Sequence, residues 1–216
     1  VLTYETLKKK NRLEREGFEE GLRLRVHRAL SWLQRAEQEK DDSDAAFVFL
    51  WIAFNAAYAE ERGAERTGER SAYTDYFARL VRLDTQGRIY DAVWQRFTGP
   101  VRMIVDSKYV FQPFWAHHNR VPGNEDWDRR FQRSRTQVMR AMEERDTLTV
   151  LTAVFDRLYV LRNQLVHGGA TWDGKVNRDQ VKGGAKIVGF LIPLFLDLMM
   201  DHPDEPWGDP FYPVVR

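Results

Sequence analysis

From Ala45 to Ala59 the chain reads Ala-Ala-Phe-Val-Phe-Leu-Trp-Ile-Ala-Phe-Asn-Ala-Ala-Tyr-Ala. Asp41-Asp42-Ser43-Asp44 stands just before it and offers several N-cap side chains and negative charge at a helix start. The expected helix, about Asp44 to Arg62, is apolar nearly all round. Such a helix must be wrapped by others, so it is the predicted centre of a helical bundle. The run is too short to cross a bilayer, which takes about 20 apolar residues. Asn55 interrupts it. A buried amide needs partners, because leaving one unpaired costs roughly 1–3 kcal/mol.

The other segments supply the wrapping. Residues 1–17 are rich in Lys, Arg and Glu and read as a charged lead-in, frayed or forming a short peripheral helix. Phe18, Leu22, Val26, Leu30 and Leu33 form the stripe of a helix from about Phe18 to Glu39. Gly63 to Ser71 reads as a loop. Tyr73, Phe77, Leu80 and Val81 mark a short helix from Ala72 to Leu83, and Ile89, Ala92, Val93 and Phe97 another that ends near Gly99-Pro100. Val101 to Pro122 is less regular and rich in aromatics. A helix over about Glu125–Glu144 carries Trp127, Phe131, Val138 and Met142, with Asn124 or Asp126 as its cap. Asn177-Arg178-Asp179-Gln180 is shaped like a capping box. It opens a last helix, about Arg178 to Met200, that buries Val181, Val188, Leu191, Leu194, Phe195 and Leu198. Gly183 and Gly184 weaken that helix by about 1 kcal/mol each relative to Ala, with close packing as the expected compensation. Pro193 is expected to kink it. No strand pattern and no repeat is found. The reading is all-α: one helical domain over 18–201, an antiparallel bundle with an aromatic-rich helical middle section, then a Pro-rich tail over 202–216.

Composition removes several function classes. The chain has no cysteine, so disulfides, thiolate metal sites and cysteine nucleophiles are out. Its 33 basic residues are balanced by 32 acidic ones, which argues against coating duplex DNA with a broad basic face while leaving room for a local basic site. Val1 to Gly17 has no apolar core of signal-peptide type, and the expected location is the cytoplasm, with no membrane contact. No Walker loop or dinucleotide glycine pattern is present, so no cofactor is expected. His117-His118 are adjacent and lack a His-Glu-x-x-His context, so no metal site is expected either.

The helix from Asp146 to Val166 carries the chemistry. Leu148, Leu151, Phe155, Leu158, Arg162 and Leu165 fall on one helical face. An arginine stays charged at accessible pH, so Arg162 on that face must be paired, wet or at an interface. Asn163 lies one turn before His167, and Gly168-Gly169 stops the helix. A structural account also exists. A cationic histidine is favoured at a helix C-terminus by roughly 0.3–1 kcal/mol, glycine is an ordinary C-terminal cap, and an arginine on an apolar stripe can pair with a core carboxylate.

Three stretches taken together resemble the HEPN superfamily, and within it the Apea-like branch: Leu50-Trp51-Ile52-Ala53-Phe54-Asn55-Ala56-Ala57-Tyr58, Lys108-Tyr109-Val110-Phe111-Gln112-Pro113-Phe114-Trp115, and Arg162-Asn163 through His167-Gly168-Gly169 with the loop to Asn177. The resemblance spans roughly Ala45 to Leu198. It implies a helical bundle that dimerises. In active members of the family the Arg and His of two protomers face each other and cut RNA without metal, often in toxin or anti-phage defence roles with an antitoxin or defence-system partner. Other members are non-catalytic dimerisation or nucleotide- and RNA-binding modules, and that is the alternative here. The motif positions carried over are Arg162, Asn163 and His167.

The residue chemistry suits such a hydrolase. Histidine, with a reference pKa of about 6.5, takes or gives a proton near neutrality. A guanidinium makes two parallel hydrogen bonds to phosphate oxygens. Asn163 is placed to orient the imidazole or touch the phosphate. One protomer supplies one His, so base and acid are split across a homodimer, and the nuclease product is a 2′,3′-cyclic phosphate. Arg157, Lys175, Arg178 and Lys182 flank the motif and could extend a phosphate-binding surface, although each alone is more often a solvated charge. Trp172 is either a lid or a packing residue. Tyr109, Phe111 and Trp115 could stack bases but fit core or interface packing better. Asn55 either braces the motif helix or is a plain core amide.

Overall fold

The computed structural model describes residues 2–60 and 69–212 of the chain. Among them lie ten α-helices and no strand: α1 Tyr4–Glu14, α2 Glu20–Gln38, α3 Ser43–Tyr58, α4 Glu69–Leu83, α5 Arg88–Asp91, α6 Thr98–Val105, α7 Gln112–His118, α8 Trp127–Glu143, α9 Thr147–Val166 and α10 Arg178–Asp201. The apolar helix α3 is central as its sequence requires. It packs against α2, α9 and α10, and Phe47, Trp51 and Phe54 are fully enclosed. Asp42 starts it, its carboxylate accepting from the N–H groups of Asp44 and Ala45 at 3.0 Å each. Each large apolar side chain so enclosed contributes roughly 1.5–3 kcal/mol. Helix α3 ends at Tyr58, with Ala59 already extended, short of the predicted end at Arg62. The predicted loop from Gly63 to Ser71 lies outside the described residues as far as 68. By Glu69 the chain is helical.

Several local expectations change. The segment that begins at Arg88 passes through a π-helical turn, Ala92–Arg96, and the predicted stop at Gly99-Pro100 is instead the first turn of α6. Proline fits there because first-turn N–H groups have no intrahelical partner to lose. The capping box at Asn177 does not form. Asn177 sits at φ 57° and its side chain makes no cap bond. Asp126 likewise caps nothing, and Asn124 instead accepts from Arg130 at 3.1 Å. Asp146 does cap α9, accepting from the Thr149 N–H at 3.0 Å. The glycine pair in α10 is closely packed. A Cβ on Gly184 would stand 2.9 Å from Leu158 Cδ2 and 3.2 Å from Phe47 Cε2, so α10 lies against α9 and α3 at a separation only glycine allows.

The lead-in and the tail, as far as they are described, join the body. The lead-in folds as α1, opened by a Thr3/Thr6 capping box, with Leu7 buried. Its Lys10 bonds Asp197 of α10 at 2.7 Å. In the Pro-rich tail Trp207 enters the core. Arg25 of α2 is fully buried and donates to four carbonyls: Gly208 at 3.1 Å, Ala57 at 3.0 Å, Ala59 at 2.9 Å and Asp209 at 2.8 Å. One guanidinium thus fastens the tail to the end of α3. Helix α10 is long and apolar enough to cross a membrane by length and composition, yet 78% of its apolar window is buried inside the fold.

Candidate functional site

The end of α9 places the motif. Arg162 is half-buried at the last turns, one turn beyond the enclosed Leu158. Its Cζ lies 5.8 Å from the Tyr159 ring centroid, within range of a cation–π attraction. Tyr159 in turn rests on Trp51 of α3, with ring centroids 6.2 Å apart. A continuous aromatic contact therefore runs from the apolar core helix to the guanidinium. Nη1 of Arg162 donates to Asn163 Oδ1 at 2.8 Å. Among the described residues no carboxylate pairs with Arg162. A neutral amide satisfies one N–H and leaves the positive charge uncompensated.

His167 is the C-cap residue of α9 and is exposed. Its backbone N–H donates to the Asn163 carbonyl at 3.0 Å. Its imidazole has no hydrogen-bond partner among the described residues. Gly168 takes φ 70°, the left-handed conformation that ends a helix at low cost for glycine. Val166 beside it is 50% exposed, unusual for a branched apolar residue at the end of a core helix. The sequence offered two tasks for the Asn163 side chain, the imidazole or the phosphate. In this structure it holds the guanidinium.

The loop from Gly168 to Asn177 is tied down on both flanks. Asn177 Nδ2 donates to Gln164 Oε1 at 2.8 Å, and Gln164 Nε2 donates to the Tyr109 carbonyl at 2.6 Å. Trp172 Nε1 donates to Asp42 Oδ2 at 2.8 Å while its ring stays 75% exposed. The N–H of Ala45, then the Trp172 indole and the Asp44 N–H, with Arg178 nearby, hold the Asp42 carboxyl below the usual carboxylate range. The loop is thereby pinned to the start of α3.

The flanking candidates separate. Lys175 and Lys182 are exposed and make no ion pair among the described residues. Arg178 is half-buried. It pairs with Asp44 at 2.5 Å and donates to the Gly174 carbonyl at 3.0 Å, so it secures the loop's end. Arg157 is buried and faces a cavity on another side of α9. Asn55 Oδ1 is buried without a hydrogen-bond partner, and no hydrogen bond joins it to the motif. Tyr109 and Phe111 meet α9 differently: the Tyr109 carbonyl accepts from Gln164 while its ring, 45% exposed, packs on Phe114, and the Phe111 ring meets Arg157. His118 bonds the Phe114 carbonyl through Nδ1 at 2.7 Å, and among the described residues no group of three His, Asp or Glu gathers as a metal site.

Comparison with protein-family models, curated proteins and solved structures returns no match. The motif's geometry therefore carries the functional argument. Sequence reasoning missed Tyr159 and Gln164. Tyr159 is a ring one turn before Arg162, a spacing that could have flagged it. Gln164 gave no signal, because both its partners are distant in the chain.

Proposed function

We propose that the protein is a metal-independent endoribonuclease of HEPN type, an antiparallel helical bundle acting as a homodimer. The observation that carries the reading is the end of α9: a guanidinium with no counter-charge among the described residues, oriented by Asn163 and Tyr159, and five residues on an exposed His167 whose imidazole has no partner among them. Among the described residues no carboxylate meets either side chain, which leaves both open to a phosphate. Two such ends brought together would place two imidazoles and two guanidiniums around one phosphodiester. The neutral His167 of one copy accepts the 2′-hydroxyl proton, and the 2′-oxygen bonds to phosphorus. The protonated His167 of the other copy donates to the departing 5′-oxygen, leaving a 2′,3′-cyclic phosphate and a 5′-hydroxyl. Arg162 stabilises the charge on the non-bridging oxygens. The exposed Val166, Trp172 and Val176 supply apolar surface around the motif for a second copy. A cytoplasmic toxin or defence role, restrained by an antitoxin or system partner, fits an RNA-cutting activity of this kind.

The test is incubation of the purified protein with total RNA in EDTA, comparing wild type with His167→Ala and Arg162→Ala and mapping the cut ends. Cyclic-phosphate ends from wild type alone are the expected result. Equal cleavage by folded, dimeric variants would overturn the proposal. RNA or nucleotide binding and dimerisation without cleavage would favour the non-catalytic module.

A further inference from the structure

Away from the motif, α9 carries a second guanidinium in a different situation. Arg157 is only 4% exposed. Its Cζ lies 4.2 Å from the Phe111 ring centroid and 5.4 Å from that of Phe131. Among the described residues it makes one hydrogen bond, from Nη2 to Ser134 Oγ at 3.1 Å. The nearest acid in sequence, Asp156, is engaged elsewhere: Arg70 Nε donates to its two oxygens at 2.8 and 2.9 Å, and the Tyr73 hydroxyl donates to it as well. Contrast Arg25, equally buried but bonded to four carbonyls. A buried cation with one neutral partner is costly unless an anion joins it.

Arg157 lines a cavity of about 600 Å³, between α4, α8, α9 and the turn that carries Phe111. Arg130, also on the wall, is half-buried and, among the described residues, bonded only to Asn124 at 3.1 Å. Arg70 and Asp156 stand on the same lining, so three guanidiniums meet one carboxylate. Phe111 and Tyr159 contribute ring surface. The volume is within the usual range for small-ligand pockets, roughly 300–1,000 Å³. Burial holds the Arg157 guanidinium down to about 10, which still leaves it charged at neutral pH.

We propose that this cavity is a nucleotide-binding site, with the phosphate held by Arg157 and Arg130 and the base lying against Phe111 and Tyr159. Guanidinium forks match phosphate oxygens, and the aromatic wall suits a planar ring, so a nucleoside monophosphate unit fits both halves of the lining. The unit is either a free nucleotide or one residue of a bound strand. Tyr159 lines the cavity and also carries Arg162, so the two sites adjoin. The proposal does not depend on RNA cleavage at the motif.

The test is thermal melting and equilibrium binding of the full chain with inorganic phosphate, uridine, the four nucleoside monophosphates and a short single-stranded oligoribonucleotide. A monophosphate at tenfold its Kd is expected to raise Tm by about 3–6 °C, and uridine without phosphate to leave it unchanged. Arg157→Met is expected to raise the melting temperature of the free protein and to weaken binding at least tenfold. Arg130→Ala, at a half-exposed position, keeps the proposal testable if Arg157→Met does not fold. Oligoribonucleotide binding without monophosphate binding, weakened by Arg157→Met or Arg130→Ala, assigns the cavity to a strand, and binding of a monophosphate assigns it to a free nucleotide. No shift with any phosphate-bearing probe at millimolar concentration, or unchanged binding in both arginine variants, overturns the proposal.

Discussion

Arg162 and Asn163 are sequence neighbours on a helix, yet Nη1 of one meets Oδ1 of the other at 2.8 Å. Adjacent helical positions point apart by about 100°, so the contact requires the long arginine side chain to curl back over the helix end. The amide thus fixes where the charge sits without neutralising it. Asn163→Ala is expected to leave thermal stability nearly unchanged and to lower RNA cleavage by about 10–100-fold, read as initial rates on a defined oligoribonucleotide. Asn163→Asp is expected to be worse for RNA affinity, because a carboxylate at the same reach cancels the guanidinium. Equal affinity in the aspartate variant would sink that assignment.

Gly184 and Gly183 should respond differently to alanine. At Gly184 the new Cβ meets Leu158 and Phe47, both locked in the core, and overpacking of this kind costs about 1–3 kcal/mol. At Gly183 the only close atom is Met103 Cε, 2.5 Å away at the end of a flexible chain. Gly183→Ala should therefore gain part of the roughly 1 kcal/mol of helix propensity. Urea denaturation of the two variants is expected to give opposite signs.

Arg25→Met removes a donor from four carbonyls at once. Leaving such groups buried and unpaired should cost about 3–5 kcal/mol and detach the Trp207–Pro210 segment. The expected signature is a lower melting temperature together with faster proteolysis within residues 203–212. A variant as resistant as wild type would contradict the fastening role.

Acid should loosen the loop over the motif. The Asp42 carboxyl titrates below its usual value in the folded chain because the Ala45 N–H, the Trp172 indole and the Asp44 N–H favour its anion, with Arg178 adding attraction. Its contribution is therefore complete above the ordinary aspartate pKa of about 3.9 and is lost as pH falls through the lower folded value. Trp172 fluorescence is expected to shift in that acid range before global unfolding. Asp42→Asn should remove the step.

The bundle was legible because helical periodicity marks burial, as the stripe Phe18, Leu22, Val26, Leu30 and Leu33 did without exception. Periodicity reports a face, however, and not what stands opposite it. It marked Arg162 as the arginine on an apolar stripe, whereas the enclosed one on α9 is Arg157, five residues earlier, covered by Phe111 and Phe131. Those rings come from 46 and 26 positions away in the chain. The Asn177 cap failed for a related reason: its side chain is claimed by Gln164, a partner local rules cannot see. The close approach at Gly184 was foreseen in kind, because a glycine deep in a helix is hard to explain otherwise.

Gln164 gives the spacer between Arg162 and His167 a meaning of its own. Its amide donates to the Tyr109 carbonyl and accepts from Asn177, so it reads one segment as an acceptor and the other as a donor. Glutamate has the same shape but no N–H to give, and asparagine is one methylene shorter. The positions that separate the arginine from the histidine are therefore not interchangeable filler: they encode which two stretches of chain are held beside Arg162 and His167.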